Sequence, residues 1–163
     1  MRLRFDHGVY PIAPRVYVGG MPRTTYDDGL DVDLLVLCAG EWTPDDARVN
    51  PVLDTGVWWI PLRDDGANGP DPDRLPAVCA ALREAKRVHD KGGTVAFTCL
   101  AGRNRSGLLA ALFLIEGGMV PVEALSTVRQ AHPKGLALTN PGYQHAVLTW
   151  QPSTARPADP SAG

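Results

Sequence analysis

The chain has 163 residues and a formal net charge of −2 at pH 7, from 16 Lys and Arg against 18 Asp and Glu. This length fits one domain with one core. With 44% hydrophobic residues the chain is expected to fold. The charge balance gives no overall basic field, so we expect no binding to nucleic acid or to a membrane by non-specific attraction. A site for an anion must therefore be local.

The chain carries no obvious targeting or metal-binding pattern. Its longest apolar run, residues 108–115, is far shorter than the roughly 20 residues that cross a bilayer. The charged N-terminus is not followed by an apolar stretch, so no secretory signal is expected and a cytoplasmic location is predicted. Cys38, Cys79 and Cys99 are widely spaced, with no Cys-x-x-Cys pair and no neighbouring His, which favours free thiols over disulfides or a zinc site. Cys38 and Cys79 are interpreted as small core residues.

The first third of the chain alternates short β-type runs with turn residues. Runs at residues 16–18, 33–38 and 57–60 have the composition of strands. The second run is apolar at successive positions, which is typical of a strand buried on both faces of a sheet. A further strand is predicted at residues 94–97.

Helical spacing begins at residue 72 and dominates the second half. Apolar residues three and four apart predict an amphipathic helix that stops at Gly92 and Gly93. Further helices are predicted at residues 108–115, ending near Gly117, and at residues 122–131 and 143–150. Strands followed mostly by helices indicate a three-layer α/β domain with a central sheet of four or five strands flanked by helices. Residues 151–163, rich in Pro, Ser and Ala, are expected to be disordered.

Residues 99–106, here called the Cys99 loop, join the strand at residues 94–97 to the following helix. A loop that curls into the first turn of a helix points its backbone N–H groups inward, and the helix dipole adds partial positive charge. The loop is therefore interpreted as a phosphate cradle, in which Arg105 grips two phosphate oxygens. The same field favours the thiolate form of Cys99, the form that acts as a nucleophile. The cradle residues are Leu100, Ala101, Gly102, Arg103, Asn104 and Arg105.

This segment resembles a known signature. Residues 98–106 read Thr-Cys-Leu-Ala-Gly-Arg-Asn-Arg-Ser, similar to the motif His-Cys-x-x-Gly-x-x-Arg-Ser/Thr of the cysteine-dependent protein tyrosine phosphatases, and in particular of the small dual-specificity phosphatases. The resemblance extends from about residue 16 to residue 150 and includes the segment at residues 60–64. It implies a protein tyrosine phosphatase-like fold and a catalytic domain at residues 1–150, followed by the tail.

The resemblance also implies roles for individual residues. Cys99 would attack phosphorus to form a phosphocysteine, and Arg105 would hold the equatorial oxygens of the transferred group. Ser106 would donate a hydrogen bond to the departing sulfur. Asp64 would protonate the leaving group and later accept a proton from water, with Asp65 as the close competitor. No metal or cofactor is expected, because Arg105 and the loop amides supply the charge stabilisation.

The expected function is hydrolysis of phosphate monoesters, on phosphotyrosine and on phosphoserine or phosphothreonine, in a phosphorylated protein or a small molecule. One departure supports an alternative: Thr98 stands where the family has His, which leaves open a phosphate-binding pseudophosphatase. A phospholipid or nucleotide phosphatase is a further alternative, weakly suggested by the extra charge of Arg103. A solvated, outward-pointing Arg103 is the competing interpretation. The sequence does not indicate an oligomeric state.

The remaining polar and aromatic residues give little indication of function. The four histidines are scattered without metal-ligand spacing and are assigned surface or capping roles: His7, His89, His132 and His145. The pairs Glu41-Trp42 and Trp58-Trp59 either line a substrate mouth or belong to the core or rim, and the second interpretation is favoured.

Overall fold

The computed structural model describes residues 2–26, 28–41 and 56–153. Trp42 and most of the predicted disordered tail, residues 154–163, lie outside these ranges. In the described part of the chain the strands are β1 (Arg2–Phe5), β2 (Val9–Ala13), β3 (Val16–Gly19), β4 (Pro22–Thr24), β5 (Leu30–Asp31), β6 (Leu34–Ala39), β7 (Gly56–Leu62) and β8 (Val95–Thr98). The helices are α1 (Leu75–Asp90), preceded by a 3-10 turn at Pro72–Arg74, then α2 (Arg105–Glu116), α3 (Pro121–Ala131) and α4 (Pro141–Leu148).

The main sheet has five strands in the order β2-β3-β8-β6-β7. Strands β3, β8, β6 and β7 run parallel, and β2 is antiparallel to β3 at one edge. The predicted α/β class and the predicted sheet of four to five strands are confirmed. The edge position of β2 suits Pro11, because proline cannot donate to a second neighbour.

The two faces of this sheet bury different layers. Along β6, Leu34 and Val36 face the large core that also contains buried residues of all four helices. Leu35 and Leu37 alternate with them and face a smaller core. This alternation is the period of two that a strand imposes on its side chains, and burial on both faces explains why β6 is apolar at every position.

The smaller core lies against a second sheet that the sequence did not predict. Its order is β4-β1-β5, and Leu3 of β1 is buried in it. Strands β4 and β5 span only three and two residues, which is too short for a periodic signal. Strand β1 was interpreted only as a charged N-terminus, and strand β2 was also missed.

The predicted helices all form, with shifts at their ends. Helix α2 begins at Arg105, three residues before the apolar run that predicted it. Helix α4 covers residues 141–148, so the prediction of residues 143–150 was wrong by two residues at each end. Asn140 caps α4 by accepting from the N–H groups of Gly142 and Tyr143. No helix in the described ranges has both the length and the apolar character that crossing a membrane requires.

The parallel strands end at one edge of the main sheet. Gly20 follows β3, Cys99 follows β8, Gly40 follows β6 and Arg63 follows β7. Ligands of open α/β sheets bind beyond the carboxyl ends of such strands. The topology therefore brings four loops that are distant in sequence to one place.

Candidate active site

The Cys99 loop is seated on the end of strand β3. The N–H of Cys99 donates to the carbonyl of Gly19 over 3.2 Å. Gly102 has a φ of +65°, and a Cβ built there would lie 2.8 Å from the carbonyl carbon of Gly19. Tyr10 fixes the same point from the other side, because its hydroxyl donates to the carbonyl of Gly102 over 2.7 Å. Glycine is therefore required at position 102 by both conformation and space.

The loop carries backbone donors that the fold does not use. Within residues 2–26, 28–41 and 56–153, no hydrogen bond was found from the N–H groups of residues 100–105. These amides lie just before helix α2 and at its first residue, where the helix dipole places partial positive charge. A run of unpaired N–H groups at a helix N-terminus is a site for an anion.

Cys99 lies at the floor of the loop with Ser106 beside it. The side chain of Cys99 is buried, with an exposed fraction of 2% for the residue. Its Sγ lies 3.1 Å from the Oγ of Ser106, which is also buried. This distance permits the hydroxyl to donate to a thiolate. The two residues predicted to share the chemistry are thus in contact.

Arg105 presents one edge of its guanidinium to protein and leaves another donor unpaired. Nη1 donates to a carboxylate oxygen of Glu41, and to the carbonyl of Leu62 over 3.4 Å. Nε is buried and has no hydrogen-bond partner among the described residues. A buried donor without a partner costs about 1–3 kcal/mol. A bound oxyanion would satisfy it.

The surroundings keep Arg105 charged. Burial works to lower its pKa, but the hydrogen bond with Glu41 and the charges of Cys99 and Asp64 outweigh this, and the net shift is upward. For Glu41, burial works to raise the pKa, and the hydrogen bond from Arg105 turns the net shift downward. The ion pair is therefore retained as pH falls, until the lowered pKa of Glu41 is crossed.

Asp64 is held beside the Cys99 loop by two asparagines. The Nδ2 of Asn104 donates to one carboxylate oxygen of Asp64 over 2.9 Å, and the Nδ2 of Asn140 donates to the other over 2.9 Å. The Oδ1 of Asn104 in turn accepts from the N–H of Thr139 over 2.8 Å. Asn104 therefore links the Cys99 loop to two other loops through its side chain.

The carboxylate of Asp65 forms its hydrogen bonds within its own loop. Its carboxylate accepts from the N–H groups of Ala67 and Asn68 over 3.0 and 2.8 Å. The side-chain and backbone donors of Asn68, followed by the N–H of Ala67, lower the pKa of Asp65 to about 2. Asp65 is thus committed to the turn of its own loop, whereas Asp64 contacts the Cys99 loop.

Thr98 is fully buried, and its hydroxyl donates to the carbonyl of Val36 over 3.3 Å. This hydrogen bond connects the end of β8 to β6. In the described part of the chain it makes no hydrogen bond to the Cys99 loop.

Sequence reasoning missed several partners of the site. Glu41 was interpreted only with its aromatic neighbour, although it pairs with Arg105. Asn140 was identified as the start of a helix, which it is, but it also binds Asp64. Tyr10 was not singled out. These residues lie between 64 and 92 positions from their partners, and no local pattern signals such contacts.

Sequence comparisons match one part of the chain to protein tyrosine phosphatases. No protein-family model matches the chain. The mouse protein named protein tyrosine phosphatase type IVA 3 is 42% identical over 67 residues, which are 41% of this chain and 38% of the mouse protein. The bovine protein of the same name is 40% identical over 67 residues. The match thus spans well under half the length of these curated relatives.

Solved structures resemble the chain over most of its length. The crystal structure of human DUSP28 has a TM-score of 0.64 at 19% identity, covering 85% of this chain and 89% of that one. The human tyrosine phosphatase-like serine/threonine/tyrosine-interacting protein has a TM-score of 0.66 at 14% identity, covering 87% and 94%. The chain thus has the fold of the dual-specificity phosphatases. The resemblance to the cysteine-dependent protein tyrosine phosphatases that the loop predicted is confirmed.

Substitution of Gly102 tests the close seating of the loop. Gly102→Ala places a Cβ within 2.8 Å of Gly19 at a φ of +65°. A Cβ in the left-handed conformation by itself lowers the free energy of unfolding by about 1–2 kcal/mol. The steric overlap of this Cβ with Gly19 lowers it further. Gly92→Ala is the matched control, because Gly92 has a φ of +87° and nothing within 4 Å. Denaturant unfolding should show a clearly larger loss for Gly102→Ala, and equal losses would contradict the seating.

Proposed function

We propose that the chain is a protein phosphatase of the dual-specificity type, which hydrolyses phosphate monoesters through a phosphocysteine on Cys99. We further propose that residues 1–150 form the catalytic domain, and that phosphotyrosine is accepted together with phosphoserine or phosphothreonine. The name of the type IVA 3 relatives supports a protein tyrosine phosphatase. A cytoplasmic location stays a prediction.

One observation carries the proposal: unpaired donors surround a buried cysteine. The amides of residues 100–105 and the buried Nε of Arg105 lack partners in the described ranges. They are the donors that three phosphoryl oxygens would need, and Cys99 lies at the floor of the same loop. Preorganised donors of this kind stabilise charge that develops in a transition state without reorganising during the reaction.

In the first step the thiolate of Cys99 attacks phosphorus, and the bond from phosphorus to the ester oxygen breaks. Arg105 and the loop amides hold the equatorial oxygens, where the charge is spread. Asp64 transfers its proton to the departing oxygen, so that an alcohol or phenol leaves instead of its anion. The products of this step are the free alcohol, a phosphocysteine and the carboxylate of Asp64.

In the second step water attacks phosphorus and the sulfur–phosphorus bond breaks. The carboxylate of Asp64 accepts a proton from the water and returns to its starting form. The departing sulfur becomes a thiolate again, and the hydroxyl of Ser106, at 3.1 Å, stabilises it by donating a hydrogen bond. Inorganic phosphate is released, and the residues regain their initial protonation.

Turnover of an aryl phosphate such as para-nitrophenyl phosphate tests the proposal. Cys99→Ser removes the nucleophile and should lower kcat at least about 10³-fold. Arg105→Lys removes the planar fork and should cost about 10²- to 10³-fold, as expected for loss of oxyanion stabilisation. Cys79→Ser and Arg129→Lys are the matched controls on helices α1 and α3, remote in sequence from the loop, and should retain activity.

An active Cys99→Ser variant would contradict the phosphocysteine. If the parent chain binds phosphate without turnover, the pseudophosphatase alternative is correct. That alternative rests on Thr98, the residue that stands in place of the histidine of the family motif. The hydroxyl of Thr98 donates to the carbonyl of Val36.

The two aspartates are separated by their dependence on the leaving group. Asp64→Asn should lower kcat about 10²-fold on phosphotyrosine peptides, because a poor leaving group needs the proton. The loss should be much smaller on para-nitrophenyl phosphate, whose leaving group departs as an anion. Asp65→Asn, the neighbouring control, should leave both rates near those of the parent. The opposite pattern would assign the proton transfer to Asp65.

A further inference from the structure

Three successive carbonyl groups of the Cys99 loop accept hydrogen bonds from donors that lie outside the loop. The carbonyl of Gly102 accepts from the hydroxyl of Tyr10 over 2.7 Å. The carbonyl of Arg103 accepts from the N–H of Leu138 over 3.3 Å, and that of Asn104 accepts from an N–H of helix α2 over 2.8 Å. The carbonyls of residues 102–104 are thus held toward the surrounding fold.

The direction of each carbonyl decides where the next amide points. A trans peptide unit is planar, and its C=O and N–H point in opposite directions. The bond between Tyr10 and the carbonyl of Gly102 therefore directs the N–H of Arg103 away from Tyr10. In the described ranges this N–H has no hydrogen-bond partner. It is one of the unpaired amides that an oxyanion in the loop would use.

The peptide unit after Gly102 depends on a side chain for its orientation. The carbonyls of the next two residues are held by backbone N–H groups, whereas that of Gly102 is held by the hydroxyl of Tyr10. Within the described part of the chain, no other hydrogen bond to this carbonyl was found. Glycine has no Cβ to restrict the rotation of this unit. Half a turn would exchange the N–H that faces the anion for a carbonyl oxygen.

The ring of Tyr10 is itself held in place. Tyr10 lies on β2 opposite Val18 of β3, and only 7% of the residue is exposed. Its ring packs edge-on against the ring of His132, with centroids 5.2 Å apart. The Nδ1 of His132 accepts from the N–H groups of Lys134 and Leu136, which fixes that ring in turn. The hydroxyl of Tyr10 therefore has a defined position.

The surroundings also keep this hydroxyl protonated. Burial, followed by the negative charge of Cys99, raises the pKa of Tyr10 well above its ordinary value. A phenol can donate to a carbonyl, whereas a phenolate has no proton to donate. Tyr10 therefore remains a donor to Gly102 at neutral pH.

We infer that Tyr10 is a positioning residue for the proposed reaction, because its hydroxyl holds the peptide after Gly102 with the N–H of Arg103 toward the phosphoryl oxygens. This inference rests on the proposed function, since it assumes that a phosphoryl group occupies the Cys99 loop. Tyr10 acts through the backbone of the loop. Without its hydroxyl the peptide is free to rotate, and the loop then loses a donor and turns an acceptor toward the anion.

Tyr10→Phe in the full chain tests this inference, because it removes the hydroxyl and retains the ring. The Kd for inorganic phosphate, measured by calorimetry, should rise about tenfold, as expected for partial loss of one oxyanion donor. The kcat/KM should fall by about tenfold or more on para-nitrophenyl phosphate. The same factor is expected on a phosphotyrosine peptide, because stabilisation of the phosphoryl oxygens does not depend on the leaving group. Asp64→Asn should instead separate the two substrates.

Two tyrosines serve as matched controls. Tyr143 is fully buried, and its hydroxyl donates to the carbonyl of Arg63 next to Asp64. Tyr143→Phe therefore also removes a buried hydroxyl from a backbone carbonyl. It should lower the midpoint of thermal unfolding about as much as Tyr10→Phe and leave the Kd for phosphate unchanged. Tyr17→Phe, on β3 beside the smaller core, should leave both phosphate binding and turnover near those of the parent.

A measurement on the parent chain does not depend on the folding of any variant. The backbone amide proton of Arg103 should shift downfield in the NMR spectrum when inorganic phosphate is added, because this N–H donates to the anion. In Tyr10→Phe the shift at the same phosphate saturation should be smaller, since part of the population has the peptide rotated.

Several results would overturn the inference. Tyr10 has no positioning role if the Kd for phosphate is unchanged in Tyr10→Phe, or if it rises equally in Tyr143→Phe. An amide of Arg103 that phosphate does not shift in the parent would also contradict it. If the parent binds phosphate without turnover, the proposed function fails, and the Kd values alone decide whether Tyr10 positions the loop for an anion. A parent that binds no phosphate would overturn both.

Discussion

Unpaired hydrogen-bond donors around one buried sulfur are the constraint on which the rest of the structure depends. The amides of residues 100–105 and the Nε of Arg105 have no protein partner in the described ranges. Leaving the buried Nε of Arg105 unpaired costs free energy, so the fold must hold this side chain in place. Helix α2 contributes its dipole, Gly102 its left-handed backbone, and Tyr10 a hydrogen bond to the loop. These donors can form hydrogen bonds when an oxyanion binds in the loop.

The parallel sheet explains why the partners of Cys99 come from distant parts of the sequence. Cys99 follows the central strand β8, and its neighbours β3 and β6 end at the same edge. The loop after β6 supplies Glu41, which orients one edge of Arg105, and the loop after β7 supplies Asp64. Asn104 then joins that loop to the Cys99 loop through its side chain. The residue proposed as the general acid and the loop proposed as the phosphate cradle are thereby held together.

Much of this could be predicted from the sequence, and the limits have physical causes. The Cys99 loop was recognised because its chemistry is local: a strand, a glycine and an arginine within a few residues of a helix. The strands and helices with clear periods were also found. Strands β4 and β5 were missed because they are too short for a period. The roles of Glu41 and Asn140 depend on tertiary contacts, which a single sequence does not encode as a pattern.

The central claim is that Cys99 accepts the phosphoryl group inside this ring of donors. Rapid-quench mass spectrometry of the full chain, mixed with an excess of para-nitrophenyl phosphate, tests it directly. The account predicts a transient peptide that contains Cys99 and is heavier by one phosphoryl group. It also predicts that this species forms and decays at rates that match turnover. Steady turnover without any phosphate on Cys99, or with the phosphate on another residue, would contradict it.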